Sequence, residues 1–323
     1  MHRILNMRCR YLSLLLNSVR IAIVPIGLTL TGRPLFLYLL LVIRFVNRTI
    51  QLLCFSSSLL LSGFSIAQDS LIDAPLPHSK GQSVSPSFEG WYANPDGTHS
   101  LVFGYFNRNY DEQLSLPIGQ GNRFEPGPTD RGQPTYFLPR RQTGVFAVRV
   151  PADFGDQQLI WSLTANGETI AIPGQLRPEW EITALEEVTS GNRPPVIRFA
   201  GPASESGTGP LGIKSAALST TAGEETQLTI WASDDGVKKS RQKGRPARFG
   251  VVLSKYRGIG EVSIDAIDPA IENGKAETSA VFSRPGEYVL RVLAWDDSGG
   301  QSNVMAGGFF CCWTNGFITV LVE

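Results

Sequence analysis

The sequence predicts an all-β protein with two β-sandwich domains in tandem behind an apolar N-terminal export segment. Short strand-like runs recur at intervals of about 8–12 residues with Gly, Pro, Asn and Asp between them, which is typical of sandwiches and barrels. In the first domain, no segment repeats apolar residues at helical spacing for three turns. In the second domain, the strand-like runs follow the order of an immunoglobulin-like sandwich.

The charges are segregated along the chain. Residues 1–67 hold seven arginines and no acidic residue, so the remaining residues hold 22 basic and 29 acidic ones, a net charge of −7. Nucleic-acid binding needs a concentrated basic face, and the mildly acidic body argues against such a partner. We expect five segments: a targeting segment over 1–67, a flexible lead over 68–83, a sandwich over 84–188, a linker over 189–195 and an immunoglobulin-like sandwich over 196–323.

The targeting segment favours a cleaved signal peptide. Arginines divide its first apolar residues into runs 21–32 and 34–43, each shorter than the roughly 20 residues of a membrane helix. The uncharged run 49–68 contains Ser65-Ile66-Ala67, which has small residues where signal peptidase cuts. A true start near Val46 is our hypothesis, and a retained membrane anchor is the alternative. In both cases we expect the rest of the chain to be exported to the periplasm or the exterior. We expect it to contact the membrane only through this segment.

The stretch 88–110 predicts two aromatic-rich strands joined by a tight Pro95-Asp96-Gly97 turn, because Asp-Gly supplies the positive φ of a hairpin. The second strand is apolar on both faces, which predicts a central position in a sheet. Its two faces carry Leu101, Phe103 and Tyr105 on one side and Val102 and Phe106 on the other. Further strands are expected at 113–118, 135–138, 144–150, 159–165, 168–174 and 180–184, with a hairpin turn at Asn166-Gly167.

The polar stretch 119–133 predicts a long loop, and loops of this length are often functional. It lies between two other polar groups, 107–109 and 140–141, so a shared ligand surface is one interpretation. The alternative is a compact loop whose Arg and Asp side chains pair with each other. The candidate ligand-binding residues are Trp91, Tyr92, Asn107, Arg108, Asn122, Arg123, Asp130 and Arg131.

Four stretches of residues 88–175 together resemble a group of uncharacterised secreted bacterial proteins. They are FEGWYANPDG, FGYFNRN, DRGQPTYFLPRR and VPADFG…LIWSLTANG. The resemblance implies export and a β fold, and it carries no activity.

In the second domain, strands are expected at 196–197, 227–232, 248–256, 278–282, 288–295 and 316–322. The sequence Arg284-Pro285-Gly286-Glu287-Tyr288 resembles a tyrosine corner, in which a Tyr opens the sixth strand. Leu290 occupies the place of the second Cys of antibody domains, so the resemblance is to the broad bacterial immunoglobulin-like or PKD-like class.

Two Asp-Asp pairs follow the second and sixth strands of this domain, whose loops meet at one end of such a sandwich. Asp234, Asp235, Asp296 and Asp297 are therefore candidate Ca²⁺ ligands, because clustered carboxylates suit a hard cation. The alternative is that each pair only turns the chain by bonding its own backbone. The basic tract 238–248 is a second possible source of counter-charge.

Cys311 and Cys312 are candidate redox residues. Adjacent cysteines close only a strained ring, and a vicinal disulfide or a bridge to another chain is compatible with an oxidising compartment. Buried thiols that pack as small apolar side chains are the alternative.

The body contains two histidines, His78 and His99, and no G-x-S-x-G elbow, phosphate loop, dinucleotide fingerprint or zinc-hydrolase motif. We therefore favour an exported, non-enzymatic binding or envelope-associated structural protein, whose partner is an envelope protein or a glycan. The alternative is a secreted polysaccharide- or ester-acting hydrolase, or its carbohydrate-binding accessory, with Trp91, Tyr92 and Tyr105 as sugar platforms.

Overall fold

The computed structural model describes residues 78–188, 190–237, 248–296 and 311–323. The targeting segment 1–67, Asp297 and the basic tract from Lys238 to Ala247 lie outside these ranges. The described residues form eighteen strands and one short 3₁₀ turn, Pro178–Trp180, which confirms the all-β prediction. Within these ranges, no helix is long and apolar enough to span a membrane.

The first half of the body is a small sandwich of two three-stranded sheets. Their orders are β1-β2-β6 and β4-β7-β8, and β3 and β5 form a separate two-stranded ribbon. The strands are β1 (Val84–Ala93), β2 (His99–Asn107), β3 (Leu114–Ser115), β4 (Asn122–Glu125), β5 (Tyr136–Phe137), β6 (Arg140–Val150), β7 (Leu159–Ala165) and β8 (Glu168–Gly174). Aromatic rings of the two sheets meet in the core, where Phe103 and Phe146 both pack at nearly right angles to Trp161.

Strand β2 is central, as its two apolar faces predict. It pairs with β1 on one side and with β6 on the other. Leu101, Phe103 and Tyr105 lie in the sandwich core, while Val102 belongs to a second apolar cluster on the opposite face. Both predicted hairpins are also present, and Gly97, Asn166 and Gly167 have the positive φ values that their turns require.

Two predicted elements differ from the structure. The segment 180–184 is not a strand, because it pairs with β1 only through Trp91, whose carbonyl accepts a hydrogen bond from Ile182 N. The predicted loop 119–133 contains β4, a four-residue strand that places the buried Phe124 against Trp161. A strand this short has only two inward side chains, so its pattern was hidden among polar neighbours.

The second half has the strand order of an immunoglobulin-like sandwich. One sheet is β14-β16-β12-β9, with β15 added to β16, and the other is β10-β18-β17-β13, with β11 added to β18. Strands β10 and β11 run parallel to β18, while the long neighbours pair antiparallel. The strands are β9 (Val196–Arg198), β10 (Ile213–Lys214), β11 (Leu218–Thr220), β12 (Glu225–Ser233), β13 (Phe249–Arg257), β14 (Val262–Ile264), β15 (Ile271–Glu272), β16 (Lys275–Phe282), β17 (Gly286–Asp296) and β18 (Trp313–Val322).

The core of this second sandwich is the one predicted. The inward positions of β12 and β17 are all buried: Leu228, Ile230, Ala232, Tyr288, Leu290, Val292 and Ala294. Tyr288 is fully buried, and its hydroxyl donates to the carbonyl oxygen of Arg284 at 2.8 Å. The tyrosine corner is therefore confirmed.

Pro75–Glu323 forms one compact unit, in which the two sandwiches pack against each other. Tyr92 and Val102, on the outer face of the β1-β2-β6 sheet, pack with Leu293 and Trp313 of β17 and β18. Tyr256 and Phe317 of the second sandwich join the apolar core of the first. The linker 189–195, as the boundary between the two domains, stays a prediction.

Candidate functional site

Strand β17 packs on both faces, and each face contacts a different sandwich. Its even-numbered residues fill the immunoglobulin-like core, and its odd-numbered residues Val289 and Leu293 contact the first sandwich. Arg291 lies on that second face and is only 4% exposed. The antiparallel neighbour β18 adds the buried side chains of Trp313 and Asn315 to the same face.

These side chains converge on one backbone atom, the carbonyl oxygen of Gly144 in β6. Arg291 Nη2, Trp313 Nε1 and Asn315 Nδ2 donate to it at 3.2, 3.1 and 2.8 Å. Arg291 Nε also donates to Asn315 Oδ1 at 2.9 Å, which fixes the two side chains relative to each other. Gly144 has φ +55°, and a Cβ atom there would overlap the Trp313 ring.

Glu89 completes this group, which we call the joint: Glu89, Gly144, Arg291, Trp313 and Asn315. The Glu89 carboxylate accepts from Arg141 Nη2 at 2.8 Å and from Gly144 N at 2.8 Å. Burial raises the pKa of Glu89 to about 7, against the lowering effects of Arg141, of the Gly144 N–H and of Arg291. Burial also lowers the pKa of Arg291 to about 10, and nearby Tyr105, Tyr256 and Glu89 oppose that shift.

A cleft of about 390 Å³ lies next to the joint, between β6 and the sheet that contains β10, β13, β17 and β18. Its charged lining consists of four cations and one carboxylate: Arg131, Arg149, Lys214, Arg257 and Glu287. Partly exposed apolar side chains of both sandwiches, among them Ala147, Leu211 and Val289, also line it. The cleft therefore combines an apolar surface with an excess of positive charge.

One edge of the cleft is held by the loop that precedes β5. Asp130 accepts two hydrogen bonds from the guanidinium of Arg257, at 2.9 and 2.7 Å, and these bonds hold the pKa of its carboxyl below the usual value. Arg257 Nε donates to Gln133 O at 2.8 Å, and the Tyr256 hydroxyl donates to Gly132 O at 2.5 Å. The loop is thus tied to β13 of the second sandwich in addition to its own internal hydrogen bonds.

The structure separates the eight predicted ligand residues into different roles. Asn107 and Asn122 are fully buried, and their amides donate to backbone oxygens of neighbouring segments, including Phe137 O in β5 and Pro134 O just before it. Arg108 pairs with Glu168 and Arg123 with Glu125 on the surface. Of this set, Arg131 lines the cleft and Asp130 orients Arg257 at its edge.

The predicted sugar platforms are differently exposed. Tyr92 and Tyr105 are buried, at 4% and 3% exposure, so neither ring presents a face to solvent. The Tyr92 hydroxyl accepts from Leu211 N at 3.2 Å, and the Tyr105 hydroxyl accepts from Leu138 N at 2.8 Å. Trp91 is partly exposed and contacts His99, whose Nδ1 is buried without a hydrogen-bond partner.

The acidic tip of the second sandwich is partly described. Burial, and after it the charges of Asp296 and Asp235, raise the pKa of Asp234 to about 6, so these three carboxylates are neighbours. Asp296 is buried and accepts from Asn192 Nδ2 at 2.6 Å, and Asp235 accepts from Arg193 N at 3.0 Å. Among the described residues, no group of three or more His, Cys, Asp or Glu has the arrangement of a metal site. The Ca²⁺ site stays a prediction.

Cys311 and Cys312 form a vicinal disulfide, and both residues are buried. The Sγ atom of Cys312 lies 3.3 Å from the backbone oxygen of Asn192. The disulfide therefore lies where the linker between the sandwiches contacts the start of β18. Its redox role stays a prediction.

Sequence reasoning missed most of the cleft and the joint. Gly144, Arg149, Lys214, Arg257 and Arg291 belong to no motif. One available signal was overlooked: β17 is apolar on both faces, as β2 is, and this pattern places a strand between two layers. An arginine inside such a strand must have buried partners, because an unpaired buried charge is costly.

The sequence matches no family model, and the comparison with curated proteins finds no match. Among solved structures, it is similar to domains 4 and 5 of the S-layer protein SbsC, at 10% identity and a TM-score of 0.21. That match covers 52% of this chain and 65% of the other. It is also similar to the D00-D0 domain of intimin, at 12% identity and a TM-score of 0.25, over 74% of this chain and 100% of the other.

TM-scores this far below 0.5 do not establish a shared topology. The immunoglobulin-like assignment therefore rests on the strand order of this chain, and nothing about function follows from the likenesses. The chain spans just under two thirds of the SbsC fragment, at 65% of its length.

Proposed function

We propose that this chain is an exported, non-enzymatic protein of the cell envelope that acts as a structural and binding module. The observation that carries the proposal is the joint. Buried groups with shifted pKa values commonly mark catalytic sites, but here Arg291 bonds the second sandwich to Gly144 of the first, and Glu89 holds Gly144 by accepting from its N–H. Their hydrogen-bonding capacity is used on protein groups, which suits a role in holding geometry.

Export is supported by two independent observations. The uncharged apolar run 49–68 contains Ser65-Ile66-Ala67, the pattern of a signal-peptidase site. The disulfide between Cys311 and Cys312 belongs with an oxidising compartment, since cytosolic thiols are kept reduced. We place the protein in the periplasm or outside the cell.

Cell fractionation with N-terminal sequencing tests the localisation. The full-length gene is expressed with a C-terminal tag, and we expect the protein in the exported fraction with an N-terminus close to Gln68. A full-length species embedded in the inner membrane would support the retained anchor instead, and a cytoplasmic product would contradict export.

An activity panel tests the non-enzymatic assignment. We expect no turnover of neutral and acidic polysaccharides or of short-chain esters above that of a heat-denatured sample. His99 is the one described histidine with a buried, unpartnered nitrogen, so His99→Ala is the matched variant. Turnover that this variant abolishes would contradict the proposal and support a hydrolase.

A further inference from the structure

We propose that the cleft beside the joint binds anionic carbohydrate, with a carboxylate or phosphate group of the ligand seated on Lys214 and Arg131. The inference rests on the proposed function and deepens it by naming the class of ligand. It depends on three features of the cleft: its positive charge, the cationic side chains that have no ion-pair partner among the described residues, and the apolar wall beside them.

Some of the charged side chains that line the cleft are paired with another described residue, and others are not. Arg257 is bonded by both carboxylate oxygens of Asp130, and Arg149 pairs with Asp96 at 3.1 Å. Lys214 is exposed and makes no hydrogen bond or ion pair with any described residue, and it acts on Asp130 only through its charge. Glu287 is the single carboxylate of the lining. Lys214 is therefore the cation most available to a ligand.

Arg131 supplies a second donor. Its Nη2 donates to Pro126 O at 3.2 Å, and its guanidinium makes no ion pair with any described residue. A planar guanidinium matches the two oxygens of a carboxylate or phosphate, so the pair of cations suits an oxyanion better than a neutral group.

The rest of the wall suits a sugar ring. Ala147, Leu211 and Val289, which are partly exposed, offer apolar surface, and Gly132 and Thr319 add polar groups at the same cleft. A pyranose presents both an apolar C–H face and hydroxyl groups, so it can use both kinds of contact. The volume of about 390 Å³ falls within the range of roughly 300–1,000 Å³ for small-molecule sites. An acidic sugar therefore fits the chemistry of the cleft more fully than a bare anion.

Titration calorimetry of the full exported protein tests the inference. The probes are an oligogalacturonate, a neutral galacto-oligosaccharide of the same length, and inorganic phosphate. Lys214→Glu reverses the available charge, and Lys80→Glu is the matched control, because Lys80 is an exposed lysine outside the cleft lining. Thermal melting of both variants checks that they fold.

We expect the oligogalacturonate to bind and the neutral oligosaccharide not to bind. Lys214→Glu should weaken binding roughly tenfold or more, since hydrogen bonds to charged groups contribute substantially, while Lys80→Glu leaves it unchanged. Binding should also weaken with added salt. Phosphate binding without uronate binding would support the same oxyanion site with a phosphorylated polymer as its source.

Three results would overturn the inference: no binding of either anion, equal binding of the neutral sugar, or equal losses in the two variants. An exported protein that binds neither anion would contradict the cleft assignment alone. A cytoplasmic protein that binds them would contradict the proposed localisation alone.

Discussion

At the scale of residues, Glu89 shows how burial and pairing oppose each other. Its carboxyl group has an ion pair with Arg141 and a hydrogen bond from Gly144 N, and both favour the charged form. Removal from water favours the neutral form, and this effect is the larger one, so the pKa rises to about 7. The side chain therefore changes its charge near neutral pH inside the joint.

The first prediction is a pH-dependent stability that originates at Glu89. A raised folded-state pKa contributes stability that is fully present below pH 4.5 and is lost as the pH rises through about 7. At about 1.4 kcal/mol per pKa unit, the full loss is on the order of 3 kcal/mol. Glu89→Gln should remove this part of the pH dependence in urea unfolding measured between about pH 5 and pH 8.

The matched control is Glu125→Gln, since Glu125 is an exposed carboxylate paired with Arg123. It should leave the pH profile as it is in the parent protein. An unchanged profile in Glu89→Gln would show that Glu89 is not the group responsible.

The second prediction concerns Gly144. An alanine there takes a left-handed conformation and drives its Cβ into the Trp313 ring, so we expect a loss of about 2–4 kcal/mol in the free energy of unfolding. Gly155→Ala is the control, because Gly155 has nearly the same φ, +54°, and the nearest atom to its Cβ is 3.8 Å away. Gly155→Ala should lose only about 1 kcal/mol. Equal losses in the two variants would contradict the close packing of the joint.

At the scale of elements, β17 organises the second sandwich. It is hydrogen bonded along its length to β13 and β18, and the tyrosine corner lies at its start. The Tyr288 ring also contacts Phe282 of β16, which lies in the opposite sheet. The corner therefore links the two sheets where the chain enters its central strand.

The third prediction is that Tyr288→Phe lowers the free energy of unfolding by about 1–2 kcal/mol, because the Arg284 carbonyl loses its donor while the ring stays in place. Chemical denaturation measures the change as a shift in midpoint. Tyr110→Phe is the control, since Tyr110 is 47% exposed. A midpoint for Tyr288→Phe equal to that of the parent would show that the hydrogen bond of the tyrosine corner does not stabilise the fold.

At the scale of the whole molecule, the sheet β1-β2-β6 of the first sandwich meets the sheet β10-β18-β17-β13 of the second. These two sheets share the joint and an apolar seam formed by Tyr92, Val102, Leu293 and Trp313. Polar groups at the seam are bonded across it, including Asp130 with Arg257 and Gly144 with Asn315. Breaking such a seam exposes apolar surface and leaves buried donors unpaired. The two halves should therefore stay together after the linker is cut.

The fourth prediction follows from that seam. Limited proteolysis at the expected linker 189–195 should give two fragments that co-elute in native size-exclusion chromatography and separate only in denaturant. Arg291→Ala removes one of the three donors to the Gly144 carbonyl, the donor to Asn315 Oδ1 and a positive charge near Glu89, so its fragments should dissociate at lower denaturant concentration. Fragments of the parent that separate at once under native conditions would show two independent domains and contradict the seam.

The sequence by itself determined the class of fold and most of its long strands. Hairpin turns such as Asn166-Gly167, the alternation in β12 and the tyrosine corner are local patterns, and local geometry is enough to specify them. Short strands such as β4, β10 and β14 were missed, because two to four residues carry too little periodicity.

Only the tertiary structure decided how the sandwiches meet. Arg291 and Gly144 are 147 positions apart, and Asp130 and Arg257 are 127 apart, so no spacing in the sequence relates them. The same holds for the cleft, whose cations come from separate strands and one loop. Side-chain periodicity tells which face of a strand is apolar, but which surface covers that face depends on packing between distant segments.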